Sequence, residues 1–217
     1  MIVTSFSPSG YEEYGKRFLD SYARHCNIPL CIFTEEPIDN METDSLWDIP
    51  GCKDFVSLVS RETAKPVRNG YRFNTHKFCR KVFALHQVAT QYEGKVAWLD
   101  ADTVLEKDIP DDFLDTLLEG VYLAYLGRDK FHSETGFVAF DTTHKINHLF
   151  QFLYLREYTS GAYHDLRHWC DSDVFDHVRK LLSPPENNLN TTNSAMNPFG
   201  ESVLGNYMKH YKGVNKC

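Results

Sequence analysis

Two aspartates one residue apart, Asp100 and Asp102, follow directly on a short apolar run, Lys95–Leu99. Carboxylates spaced this way on a turn after a buried strand can jointly hold a hard divalent ion. Mg²⁺ and Mn²⁺ take carboxylate oxygens and keep positions open for phosphate oxygens. A diphosphate leaving group needs its growing charge neutralised as its bond breaks, so acids at a strand's end beside a nucleotide pocket are placed for that chemistry. The bland reading of the same pair is two loop acids, with Asp102 capping a turn.

The elements that must position this pair are readable from periodicity. Ile2–Phe6 is rich in strand formers and ends in the turn cluster Ser7-Pro8-Ser9-Gly10. Tyr11, Tyr14, Phe18 and Tyr22 fall at helical spacing and predict a helix over 11–25. Leu30–Thr34 reads as a second strand, 35–51 as a loop carrying Pro, Asn, Asp and Gly, and 55–59 as a third strand. A helix is expected over 76–89, with Phe78, Val82, Leu85 and Ala89 on one face. Lys95–Leu99 then reads as a buried strand. Strands follow at 121–126 and 136–140, and helices at 143–157 (through Ile146, Leu149, Phe150, Leu153 and Tyr154) and 173–182. The stretch 183–200 is a polar loop, and 201–217 a mixed tail. Strands alternating with helices predict an α/β domain with a mainly parallel sheet flanked by helices. Such sheets bind ligands beyond the carboxyl ends of their strands, where Asp100 and Asp102 stand.

Bulk properties narrow the classes. A chain of 217 residues with 42% hydrophobic content fits one domain, and 24% charged residues argue against long disorder. A net charge of −7 repels a nucleic-acid backbone, so nucleic acid is not an expected partner. No apolar stretch is long enough for a membrane span, and the first residues do not read as a signal peptide. Cys26, Cys31, Cys52, Cys79, Cys170 and Cys217 form no C-x-x-C pair, which leaves free thiols in a reducing, cytoplasmic setting as the expectation.

The motif Asp100-Ala101-Asp102-Thr103-Val104-Leu105 also satisfies the pattern of haloacid-dehalogenase-type phosphatases, with Asp100 as phosphoryl-accepting nucleophile and Asp102 as acid/base. That pattern usually opens its domain, whereas nearly a hundred residues of α/β pattern come first here.

Four segments spanning nearly the whole chain resemble, in order, glycosyltransferase family 8, the GT-A-fold family that includes glycogenin and the bacterial lipopolysaccharide galactosyltransferases. They are Val3-Thr4-Ser5-Phe6 through Tyr11; Asn74-Thr75-His76-Lys77-Phe78; residues 98–110 around Asp100-Ala101-Asp102-Thr103; and His210-Tyr211-Lys212-Gly213-Val214-Asn215-Lys216, which matches H-x-x-G-x-x-K. The resemblance implies a single GT-A (Rossmann-like) domain over 1–217, with a nucleotide-binding half (1–100) and an acceptor half (101–217). It implies a UDP-sugar donor, a glycan or other hydroxyl acceptor, hexosyl transfer with retention, and Mn²⁺ or Mg²⁺ as cofactor. Asp100, Asp102 and His210 would hold the metal, the histidine nitrogen favouring Mn²⁺. Thr4 and Tyr11 would contact the uracil, and Lys77, with Arg80 as the alternative, the donor phosphate or sugar. Asp100 and Ala101 would line the donor site, Gly213 would let the backbone approach the diphosphate, and Lys216 would face the leaving phosphate.

Glu134 or Asp171 would lie near the anomeric carbon, and the residues do not choose between a carboxylate nucleophile and same-face attack. Departures stand beside the likeness. Glu134-Thr135-Gly136 replaces Asn-Ser-Gly, Cys170-Asp171-Ser172-Asp173 replaces Gly-Asp-Gln-Gly, and no Pro-Trp follows Lys216. A nucleotide-sugar-binding protein without turnover is therefore a further alternative. The aromatic and polar residues Tyr158, Tyr163, Arg167, His168 and Trp169 suit an acceptor sugar or packing under a loop, and 187–197 reads as an acceptor lid or a linker.

Overall fold

The computed structural model describes residues 1–60 and 70–211; Gly213 and Lys216 lie outside them. The elements in chain order are β1 (Ile2–Phe6), α1 (Pro8–Gly10), a π turn (Tyr11–Gly15), α2 (Lys16–His25), β2 (Leu30–Thr34), β3 (Asp44–Ser45) and α3 (Cys52–Val59). Next come α4 (Thr75–Gln91), β4 (Lys95–Leu99), β5 (Thr103–Leu105), α5 (Phe113–Leu117), β6 (Leu123–Leu126) and β7 (Glu134–Asp141). The chain continues through α6 (Asn147–Thr159), α7 (Asp171–Leu182), β8 (Glu186–Asn188) and β9 (Met208–His210).

Seven strands make one sheet in the order β3-β2-β1-β4-β7-β6-β8, and β5 pairs with β9 in a separate ribbon. The sheet is parallel except for β7, which runs antiparallel to both β4 and β6. This is the mostly parallel, helix-flanked α/β domain that the periodicity predicts. Strand alternation builds its two layers. Val96 and Trp98 of β4 join Val3, Val138 and Phe140 under α3, α4, α6 and α7. Ala97 and Leu99 face the other way, with Ile2, Phe6, Phe18 and Tyr22 beside α2 and α5. Both faces of β4 are thus buried, which is why the run before the aspartates is continuously apolar.

Five local readings change. Residues expected as a strand at 55–59 belong to the helix α3. Cys52, Val56 and Val59 are buried at helical spacing, and Phe55 sets its ring 5.9 Å from Phe83. The predicted helix over 11–25 is interrupted by the π turn, in which Tyr11 sits. The helix expected over 143–157 starts later, at Asn147, and buries Phe150, Tyr154 and Tyr158 while Leu149 is exposed. The loop 35–51 includes β3, and the loop 183–200 includes β8, the outermost strand beside β6. Among the described residues no helix is long and apolar enough to cross a membrane.

Candidate active site

A cavity of about 1200 Å³ opens where β4 ends, lined by residues from β1, α4, β4, the β6–β7 loop, β7, α7 and β9. The chain leaves β4 at Leu99, turns through Asp100, Ala101 and Asp102, and enters β5. Because β5 pairs with β9, Thr103 lies opposite His210. The ribbon therefore carries a histidine from far along the chain onto the aspartates. His210 Nε2 is 2.9 Å from Asp102 Oδ1 and 3.6 Å from Asp100 Oδ2. One ligand-type atom from each of the three lies within 4.8 Å of the others.

The ring of His210 fits because residue 136 is glycine. A Cβ there would stand 2.5 Å from His210 Cε1 and 2.8 Å from Nδ1. Nδ1 is buried without a hydrogen-bond partner, and the nearest carboxylate is Glu134, whose Oε1 is 3.9 Å away. Burial alone would lower the His210 pKa. The hydrogen bond to Asp102 and the charges of Asp100, Asp102 and Glu134 outweigh it and hold the ring above its ordinary value. Two carboxylates and an imidazole facing one another, with the ring's other nitrogen turned towards an acid, form a donor set that suits a divalent ion.

Asp100 is fixed from two further sides. Trp98 Nε1 donates to its Oδ1 at 2.5 Å, and Lys81 Nζ lies 3.2 Å from the same oxygen. Lys81 is the residue that sequence reasoning missed. It reaches from α4 to donate to Asp171 Oδ2 at 2.7 Å and to the Thr135 carbonyl at 2.6 Å. Burial works against the ammonium, but Asp100 and Asp171 hold its pKa above the usual range. Asp171, at the start of α7, also accepts from Thr135 Oγ1 at 2.6 Å. The sequence does carry a signal for Lys81: with Phe78, Val82 and Leu85 it occupies one helix face, a cation set within an apolar stripe.

The other expected residues fall as follows. Asp100, Asp102, His210, Glu134, Asp171 and Lys77 all line the cavity, and Lys77 is exposed there. Ala101 is buried between the two acids. Arg80 is turned away, 3.3 Å from Glu35. Thr4 is fully buried and donates to the Leu99 carbonyl at 2.7 Å, tying β1 to the end of β4, while its neighbour Ser5 lines the cavity. Tyr11 is half-buried, stacked on Phe6 with 5.8 Å between ring centroids. Of the aromatic residues considered for an acceptor sugar, Tyr158, Tyr163 and Trp169 are core packing. The exposed apolar groups at the cavity are instead Phe131 and Met196. Arg128 joins their two loops, donating to the carbonyls of His132 and Ala195.

No family model matches the chain, and no curated protein matches it in sequence. Solved structures do. The chain is similar to a glycosyltransferase involved in glycosylation of the major capsid of PBCV-1 (13% identity, TM-score 0.58), covering 99% of this chain and 93% of that one. It is similar to mouse xyloside xylosyltransferase 1 in its apo form (12% identity, TM-score 0.55), covering 99% and 95%. It is also similar to the WbbM bifunctional glycosyltransferase in its apo form (15% identity, TM-score 0.55), covering 99% of this chain but 46% of that one, so the chain spans about half of that relative. The fold is that of GT-A glycosyltransferases, and at these identities the likeness concerns the fold.

Proposed function

We propose that the protein transfers a sugar from a nucleoside-diphosphate donor to a hydroxyl of a glycan acceptor, with Asp100, Asp102 and His210 holding Mn²⁺ or Mg²⁺. The observation that carries this reading is that three-residue cluster, placed at the carboxyl end of β4 in a cavity large enough for donor and acceptor, on a GT-A fold. The resemblance to glycosyltransferase family 8 adds a UDP-hexose as the donor class and retention as the outcome. It places the nucleotide on the 1–100 half and the acceptor on the remainder.

A divalent ion, when bound, supplies positive charge to the donor's phosphate oxygens. The chain's own residues do the rest. Trp98 and Lys81 fix the Asp100 carboxylate, and Asp102 and Gly136 fix His210. Lys81 keeps its charge, and with exposed Lys77, Arg72 and Arg128 it brings cationic groups to a cavity that also holds four acids, favouring the departing diphosphate. Asp171 is neutralised by Lys81 and hydrogen-bonded by Thr135, which suits it to aim the ammonium more than to attack carbon. Retention is then achieved by same-face attack, the leaving phosphate oxygen taking the acceptor's proton, with Glu134 beside the reacting sugar. The phosphatase alternative needs Asp100 as an open nucleophile, whereas here it is bound by Trp98 and Lys81 and faces His210.

The test is incubation of the purified protein with a panel of nucleotide sugars and Mn²⁺, measuring released nucleoside diphosphate. Slow hydrolysis of one donor is expected, and it should vanish in Asp102→Ala and after chelation. Donor binding without turnover would make the protein a nucleotide-sugar binder. Silence with every donor, together with hydrolysis of a simple phosphomonoester, would overturn the reading.

A further inference from the structure

A second set of ligand-type side chains lies between the β6–β7 loop and the start of α7. His132 is on the loop, Cys170 caps the helix, and Asp173 is in its first turn. One ligand-type atom from each lies within 4.8 Å of the other two. Two of the three already touch. Cys170 Sγ is 3.1 Å from Asp173 Oδ2, its thiol proton directed at the carboxylate. His168 Nδ1 donates to both Asp173 oxygens, at 3.3 and 3.2 Å, and its Nε2 faces Arg72 at 3.4 Å. The Asp173 carboxylate is therefore braced from behind, as metal-bound carboxylates commonly are. His132 Nδ1 lies 3.1 Å from the Ser133 carbonyl and 3.2 Å from Arg128; in the tautomer that donates to the carbonyl, the Nε2 lone pair is left for an ion.

The donor set is softer than that of Asp100, Asp102 and His210. A thiolate with imidazole and carboxylate favours zinc, whereas carboxylates with a single imidazole suit manganese or magnesium. Thiolate and carboxylate together cancel the ion's two positive charges, so Arg72 and Arg128 face a centre with no net charge.

We propose that His132, Cys170 and Asp173 form a zinc site, separate from the Asp100–Asp102–His210 cluster, that ties the β6–β7 loop to the start of α7. On binding, the Cys170 S–H bond breaks, its proton leaves to solvent, and the ion takes its place between sulfur and carboxylate. Three protein ligands leave one position for water. The two tied segments carry His132, Glu134 and Thr135 on one side and Asp171 and Ser172 on the other, all lining the cavity. Zinc here makes that wall rigid, and the inference does not depend on the proposed activity.

Cobalt(II) titration of the chelator-stripped full chain tests it, because thiolate–cobalt charge transfer gives an absorption that carboxylate and imidazole ligands do not. The band is expected to saturate in the wild-type protein and to be displaced by zinc. It should be absent in Cys170→Ser, retained in Asp102→Ala, and at least about tenfold weaker in affinity in His132→Ala. A missing band in the wild type, or one that survives Cys170→Ser, overturns the proposal. Should Cys170→Ser fail to fold by circular dichroism, the half-buried His132 decides: unchanged cobalt affinity in His132→Ala overturns it.

Discussion

The ammonium of Lys81 stands 2.7 Å from the Asp171 carboxylate, both groups almost wholly enclosed, and 3.2 Å from Asp100 on its other side. One cation thus couples the Asp100–Asp102 turn after β4 to the start of α7, two segments far apart in the chain. Replacing Lys81 with Met keeps most of the volume but strands a buried carboxylate. Removing one partner of a buried pair costs about 3–5 kcal/mol. Urea unfolding of Lys81→Met should show a loss of that order, together with loss of donor hydrolysis. Unfolding within about 1 kcal/mol of the wild type would mean that the pair is open to solvent.

Gly136→Ala addresses the ring of His210. The added Cβ would meet Cε1 at 2.5 Å, so the imidazole must swing away from the aspartates. Mn²⁺ affinity, read from the free-ion paramagnetic resonance signal, should fall roughly 10–100-fold. The sheet itself should survive, because the clash is with a side chain from the β5–β9 ribbon. Unchanged affinity would remove His210 from the ligand set.

Proton and metal compete at His210. Its folded pKa is raised above the ordinary 6.5, so in the chelator-treated protein the protonated ring contributes stability. That contribution is complete below 6.5 and is lost as the pH rises through the folded value. The metal-bound ring must be neutral. The rise in Tm on adding Mn²⁺ should therefore be larger near pH 8 than near pH 6. An equal rise at both would show that the histidine does not bind the ion.

Asn190 organises the segment that brings Ala195 and Met196 to the cavity. Its buried side-chain amide donates to the carbonyls of Gly127 at 2.6 Å and Ser194 at 2.9 Å, and its oxygen accepts from Ser194 N at 3.0 Å. Asn190→Ala should cost about 1–3 kcal/mol. Hydrogen exchange should be faster at the Ser194 amide, while amides of β4 keep their protection. Unaltered exchange at Ser194 would show that the loop is held by other contacts.

Much of this architecture is legible in the amino-acid sequence. The aspartates announce themselves because a strand buried on both faces must be apolar throughout and its end must be polar. The segment 55–59 misleads because five residues rich in β-branched and aromatic types satisfy a strand as well as a helix. The residue that extends the buried helical face, Cys52, lies outside that window. Lys77 and Arg80 draw attention away from Lys81, although its place within the Phe78–Val82–Leu85 stripe marks a buried charge. No spacing within α4 names its partner at the start of α7. Tyr158, Tyr163 and Trp169 cannot be told from a sugar platform by residue type, since an aromatic face suits a core and a ligand equally well.

The pairing of β9 with β5 has a kinetic consequence. His210 and Asp102 are separated by 108 residues, and contacts between residues so far apart in the chain slow folding. Until the ribbon pairs, the turn after β4 offers two mutually repelling aspartates and no imidazole. If the three residues hold an ion as proposed, its capture would report that the ribbon has paired.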